Sequence, residues 1–173
     1  MSKHRQGGFT LIELIVVISI IVILISTLLA RTADYQERAE KAAMQQVVGV
    51  LQSALVMESG SLMTHGKASQ ISELALENPM HWLSRIPENY SGEFYDPTPR
   101  SVAPGHWVFD LKSRDLIYVL KRSEHFTPGR DGYKWIRFHV KLAYARLPAG
   151  DGEKGLTGVL FEPVESYSWF GNE

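Results

Sequence analysis

Glu13 is the one ionisable side chain in the run from Phe9 to Ala30, FTLIELIVVISIIVILISTLLA. A carboxylate in so apolar a stretch is costly, by a few kcal/mol at a bilayer centre and less toward the interface. Polar residues in such segments are therefore functional candidates. Two roles fit its position. Thr10-Leu11-Ile12-Glu13 has the spacing of a capping box, and an acid in a first helical turn opposes the helix dipole. Alternatively Glu13 awaits a partner cation. The residues just before the run point to one. Gly7 and Gly8 lack a Cβ, resist helix formation and can be taken up by a protease in extended form. A cut after Gly8 removes the basic leader with Lys3 and Arg5, keeps the apolar run, and exposes a new amine on Phe9 that could face Glu13 of another copy.

Other chemistry finds little support. There is no cysteine, which removes disulfides, thiolate nucleophiles and thiolate metal sites. Gly60 to Gly66-Lys67 has five residues between its glycines where a phosphate-binding loop needs four, and Ala68 stands where Ser or Thr should follow. No Gly-x-Ser-x-Gly elbow and no His-Glu-x-x-His pair occurs. His139 falls on the polar side of an alternating segment, as a solvated side chain would. Arg130-Asp131-Gly132 and Asp151-Gly152-Glu153 read as turns. The formal net charge of −1 gives no field for nucleic acid. The sequence thus predicts no catalytic residue, no cofactor, no metal and no nucleic-acid partner, and a chain that is not an enzyme.

The apolar run itself must position Glu13. A helix over the 22 residues from Phe9 to Ala30 spans roughly 33 Å, one hydrocarbon core. Lys3 and Arg5 ahead of it predict the leader in the cytoplasm and the remainder outside. An ordinary secretory signal would put small residues after its apolar region. Ser26-Thr27-Leu28-Leu29-Ala30 matches that poorly.

Gly8-Phe9-Thr10-Leu11-Ile12-Glu13 followed by an apolar run resembles the prepilin signal of type IV pilins and type II secretion pseudopilins. The close resemblance covers roughly residues 1–31. It implies cleavage by the membrane prepilin peptidase between Gly8 and Phe9, N-methylation of Phe9, and pairing of Glu13 with the amine of a neighbouring subunit. It implies as partners that peptidase, other pilin or pseudopilin subunits in a helical fibre, an inner-membrane assembly platform, and membrane lipid before assembly. The expected location is the bacterial inner membrane, single-pass with the head in the periplasm, and then the pilus or pseudopilus. Many major pilins carry a proline late in the apolar run. This chain has none before Pro79, which tilts the reading toward a minor subunit. Some major pseudopilins bind calcium near the end of the domain. Oxygen ligands exist here, but in no fixed spacing.

Beyond Arg31 no proline or strong turn cluster intervenes, so the helix can continue. Ala43, Val47, Val50, Leu51, Ala54 and Leu55 form an apolar stripe at helical spacing, and Gly60 is the expected cap after Ser59. Residues 60–105 are punctuated by Pro79, Pro87, Pro97, Pro99 and Pro104. They read as a loop region with a short helix near Ile71–Leu76, pinned by Trp82, Leu83, Ile86, Tyr90, Phe94 and Tyr95. Trp107–Phe109 and Leu116–Leu120 predict a hairpin, Ile136–Tyr144 a half-buried strand by strict alternation, and Gly158–Phe161 a fourth strand. The expected fold is α+β and pilin-like: a long N-terminal helix on an antiparallel sheet of about four strands. The expected organisation is a cleaved leader at 1–8, a membrane and assembly helix at 9–30, its amphipathic continuation at 31–59, and a periplasmic head at 60–173 with its sheet at 106–165. The function expected is that of a structural subunit, a type II secretion-type pseudopilin or minor pilin. The alternatives are a surface-pilus subunit for adhesion, motility or DNA uptake, and a membrane-tethered enzyme or binding domain.

Overall fold

The structure is a computed structural model that describes residues 10–146 and 154–171. The chain divides into two units that meet in sequence between Ala39 and Glu40.

Helix α1 runs from Leu11 to Thr64. It does not stop at Ser59 as the glycine signal predicted. Gly60 lies within the helix, where an added Cβ would meet nothing within 4 Å, and a single helical glycine costs only about 1 kcal/mol relative to Ala. The cap is Gly66 instead, at φ 72°. Its N–H donates to the Met63 carbonyl at 3.2 Å, and the Lys67 N–H donates to the Leu62 carbonyl at 2.8 Å. These two bonds make a Schellman end, and its left-handed position favours glycine.

In the second unit, α1 buries Met44, Leu51 and Leu55, with Val47, Val48 and Leu62 packed beside them. The apolar face is therefore rotated from the predicted stripe. Leu51 and Leu55 hold their places, while Ala43 and Val50 are exposed and Met44 turns inward. The sheet decides this, because it contacts one side of a helix whose apolar residues cover more than one.

That sheet has five strands in the order β1-β2-β3-β5-β6. They are β1 (Tyr90–Phe94), β2 (Trp107–Asp110), β3 (Leu116–Val119), β5 (Trp135–Arg146) and β6 (Lys154–Pro163). A two-stranded ribbon pairs β4 (Phe126–Thr127) with β7 (Ser168–Trp169). The α+β class and the β2–β3 hairpin match expectation. So does the alternation of β5, where Ile136, Phe138 and Val140 are buried against exposed Lys141.

The sheet is mixed, however, and has one more strand than predicted. β1 lies parallel to β2, with an irregular register between Tyr90 and Glu93. Gly92, at φ 101°, sits in that irregularity. A five-residue strand broken by a left-handed glycine shows no alternation to read. The connection from Tyr95 to His106 is about the dozen residues that a parallel crossover requires. The anticipated helix at Ile71–Leu76 is a 3-10 segment, Ala68–Ala75, that buries Ile71 and Leu74. Of the predicted loop anchors, Trp82, Leu83 and Tyr90 pack on the core, whereas Ile86, Phe94 and Tyr95 are exposed.

The main core joins α1 to one sheet face through Trp107, Phe109, Leu116, Tyr118, Phe138 and Phe161. A smaller cluster of Val102, Val108, Ile117 and Val119, with Trp135 against it, covers the opposite face. β2 and β3 are consequently buried at every position. The β6 edge is closed from the helix side. The Gln52 amide donates to the Val159 carbonyl at 3.3 Å and accepts from the Phe161 N–H at 2.6 Å. One side chain thus satisfies an outward donor and acceptor of an edge strand.

Three tyrosine hydroxyls are pushed up by burial: Tyr118, where the Glu40 carboxylate adds to the effect, Tyr167, and Tyr90. A raised folded pKa means that the protonated form holds the fold. That stability is fully present below the unfolded value of about 10 and is lost as pH climbs from there toward the folded values. The melting temperature is expected to be flat from pH 8 to 9 and to fall above pH 10, with a shallower fall in Tyr118→Phe. An unchanged slope in that variant would show that Tyr118 contributes nothing to it.

Candidate functional site

The helix that carries Glu13 begins at Thr10. The Thr10 hydroxyl accepts from the Glu13 backbone N–H at 3.3 Å, and the Thr10 carbonyl accepts from the Leu14 N–H at 3.2 Å. This is the threonine half of the anticipated capping box, and it uses the backbone of Glu13, not its carboxylate. The side chain of Glu13 is exposed in the first turn.

From Leu11 to Leu29 every residue is exposed. Leu11, Ile12, Ile18, Ile23 and Leu28 lie on different sides of the helix, each more than half exposed, so the surface is apolar all round. A helix of this kind is stable only in lipid or against other apolar helices. It is the one helix among the described residues long and apolar enough to cross a membrane. Its few polar groups are neutralised locally. Ser19, Ser26 and Thr27 donate their hydroxyls to the carbonyls of Ile15, Val22 and Leu24 at 2.7 to 2.8 Å. Such bonds let a hydroxyl enter hydrocarbon without an unmet donor. The Glu13 carboxylate is the only ionisable group in the described part of this segment, so whatever charge chemistry the segment performs falls to it. The cleavage pair Gly8 and Phe9 lies outside the described residues.

In the second unit the carboxylates have structural work. The Glu40 side chain, 8% exposed, accepts from the Lys121 N–H at 2.6 Å, the Arg122 N–H at 3.0 Å and the Tyr118 hydroxyl at 3.1 Å. Lys41, beside it, donates to the Trp169 carbonyl at 2.9 Å. Together they hold the β3–β4 connection and the C-terminal ribbon to the helix. In the sequence Glu40 and Lys41 were only two charges in a mixed run. Burial pushes Asp110 upward, but the backbone N–H of Lys112, the Ser113 hydroxyl and the Asp96 N–H outweigh it and hold that carboxyl below its usual range. Burial pushes Asp115 upward, against Ser113, Arg137 and His139. No group of three or more His, Asp or Glu among the described residues could hold a metal ion. His139 is half-buried, not solvated as read from sequence, and its Nδ1 has no partner.

Residues 3–29 match the family described as the prokaryotic N-terminal methylation motif. No curated protein and no solved structure matches the chain. The chain carries the prepilin-type signal of type IV pilin-like proteins, on a helix whose far end packs against a mixed sheet.

Proposed function

We propose that this chain is a structural subunit of a pilus or secretion pseudopilus, a type II secretion-type pseudopilin or minor pilin. The observation that carries the reading is the methylation motif at residues 3–29 on a helix whose segment Leu11–Leu29 is apolar on every side and has one ionisable residue. The precursor inserts with residues 1–8 in the cytoplasm and the head in the periplasm. Prepilin peptidase cuts between Gly8 and Phe9 and methylates the Phe9 amine. An assembly platform then lifts the subunit from lipid into a helical fibre, apolar helix inward, each subunit using the same patch-to-patch contact without closure. Leaving lipid for a protein core gives little hydrophobic gain, so close packing and a Glu13–amine pair supply the specificity.

Processing supplies the direct test. Intact-mass measurement on protein from the native host is expected to show a chain that begins at N-methylated Phe9. Replacing Gly8 with a bulky residue should leave uncut precursor in the membrane, a loss of mature product of at least tenfold. A mature chain that begins at Met1 or beyond Ala30 would overturn the proposal.

A further inference from the structure

The apolar residues of α1 in the head cover a wider face than the sheet takes up. Ala43, Val47, Val50 and Ala54 stand at i, i+4, i+7 and i+11, on one side of the helix. The sheet and its core take the neighbouring side, through Met44, Leu51 and Leu55. Val50 is left 49% exposed, and Ala43 is exposed as well. The chain that follows a second 3-10 turn, Pro79–Trp82, walls this surplus face. The result is an open groove of about 300 Å³, lined by Ala43, Gln46, Val47, Val50, Leu83 and Pro87. Val47 and Leu83 pack on the main core, which fixes both floor and wall. An apolar cavity of roughly 150 Å³ takes up one benzene-sized group, so the groove has room for about two large apolar side chains.

The chemistry of the lining selects the occupant. Gln46 is its one polar side chain, and none is charged. Arg85 and Glu88, beside the wall residues in sequence, lie 3.6 Å apart and meet each other's charge. A loop laid here would carry peptide N–H and C=O groups into apolar surroundings, whereas a helix satisfies its own backbone and offers only side chains. A charged or polar helix face would lose water without gaining partners. An apolar helix fits, and the small side chains of Ala43 and Ala54 let its axis approach closely. The floor of the groove is α1 itself, the helix that the fibre reading places against neighbours, so the groove continues that contact into the head. In an unclosed assembly each subunit is displaced along the axis, which carries a neighbour's apolar segment past this part of α1.

We propose that this groove is a docking surface for the apolar N-terminal helix of a neighbouring pilin-like subunit, with Ala43 and Val50 at the contact and Leu83 and Pro87 as its wall. The proposal rests on the fibre reading and adds to it a contact made by the head.

The test uses the full chain in its native host. A photoreactive benzoylphenylalanine is placed at Val50, sheared fibres are irradiated, and crosslinked peptides are mapped by mass spectrometry. The expected crosslink falls in the stretch of roughly 20 residues that spans lipid in a mature pilin-like subunit, whether that subunit is a second copy or another protein. Val50→Asp puts a charge in the groove, and Ala43→Trp fills it with bulk. Each is expected to lower incorporation into fibres roughly tenfold or more. Cleavage at Gly8 and the urea midpoint of the head should change little, because both positions are exposed. Val56→Asp, on another side of α1 and 53% exposed, is expected to incorporate normally. A crosslink to a neighbour's head, no crosslink to any subunit, normal incorporation of both groove variants, or an equal loss in Val56→Asp would each overturn the proposal and leave the fibre reading in place. A wild-type chain that is uncut or absent from fibres would overturn both.

Discussion

Replacing Glu13 with glutamine is expected to leave cleavage at Gly8 intact and to reduce incorporation into fibres by orders of magnitude. The two explanations of Glu13 part at this substitution. If the residue only caps the helix, glutamine serves as well, because it too completes a capping box. The structure makes that cap still less dependent on the carboxylate, since the Thr10 hydroxyl accepts from the Glu13 backbone N–H, which glutamine retains. If Glu13 pairs with the Phe9 amine of a neighbour, glutamine leaves a cation unpaired in a low-dielectric core. Unpairing a buried charge costs about 3–5 kcal/mol, roughly two to four powers of ten in an equilibrium. Coexpression with the peptidase separates the steps: cleavage is read from intact mass, and incorporation from sheared fibres or subunit crosslinks. Normal cleavage with lost incorporation supports the pair. Normal incorporation shows that the charge is dispensable. A subunit at a fibre tip lacks one of its two neighbours, so abundance in the wild-type fibre is measured alongside.

Replacing Glu40 with alanine is expected to destabilise the head by about 2–3 kcal/mol, because the loss leaves the part-buried Tyr118 hydroxyl and Arg122 N–H and the exposed Lys121 N–H without this acceptor. The Lys121 and Arg122 backbone N–H groups and the Tyr118 hydroxyl all donate to this one carboxylate. Glu40→Gln keeps an acceptor oxygen but brings an NH2 toward the same donors, so about half that loss is expected. Urea unfolding of the detergent-solubilised chain, followed by tryptophan emission, measures both. A loss below about 1 kcal/mol in Glu40→Ala would mean that water replaces the carboxylate, and the clamp would be without energetic weight.

Much of this molecule is legible locally. An unbroken apolar run of membrane length, its lone acid and the glycines ahead of it are patterns within a few turns of chain, and no distant residue alters their meaning. The β5 alternation is legible for the same reason from Ile136 to Leu142, where one face meets the core, whereas Tyr144, expected on that face, is exposed. The cleavage position before Phe9 and the pairing role of Glu13 are expectations from such spacing together with the resemblance to prepilin signals. The structure adds the Thr10 cap and the intrahelical bonds that satisfy the hydroxyls of Ser19, Ser26 and Thr27.

What tertiary structure decided concerns choices between local signals of similar strength. Gly60 and Gly66 are both plausible caps, and the helix ends at the second. Met44 takes the core position that periodicity assigned to its neighbour Ala43, because the sheet contacts only part of a broad apolar face. β1 exists because β2 offers an edge to pair with, not because Tyr90–Phe94 alternates. Glu40 and Gln52 look like surface residues in the sequence. Each acquires its role from partners tens of residues away, two main-chain N–H groups for Glu40 and a strand edge for Gln52. Sequence by itself determined the signal, the membrane-length helix and the α+β class, because those rest on the chemistry of neighbouring residues. Register, edge protection and the Glu40 clamp were decided only when the chain folded, because their energies come from contacts that linear spacing does not encode.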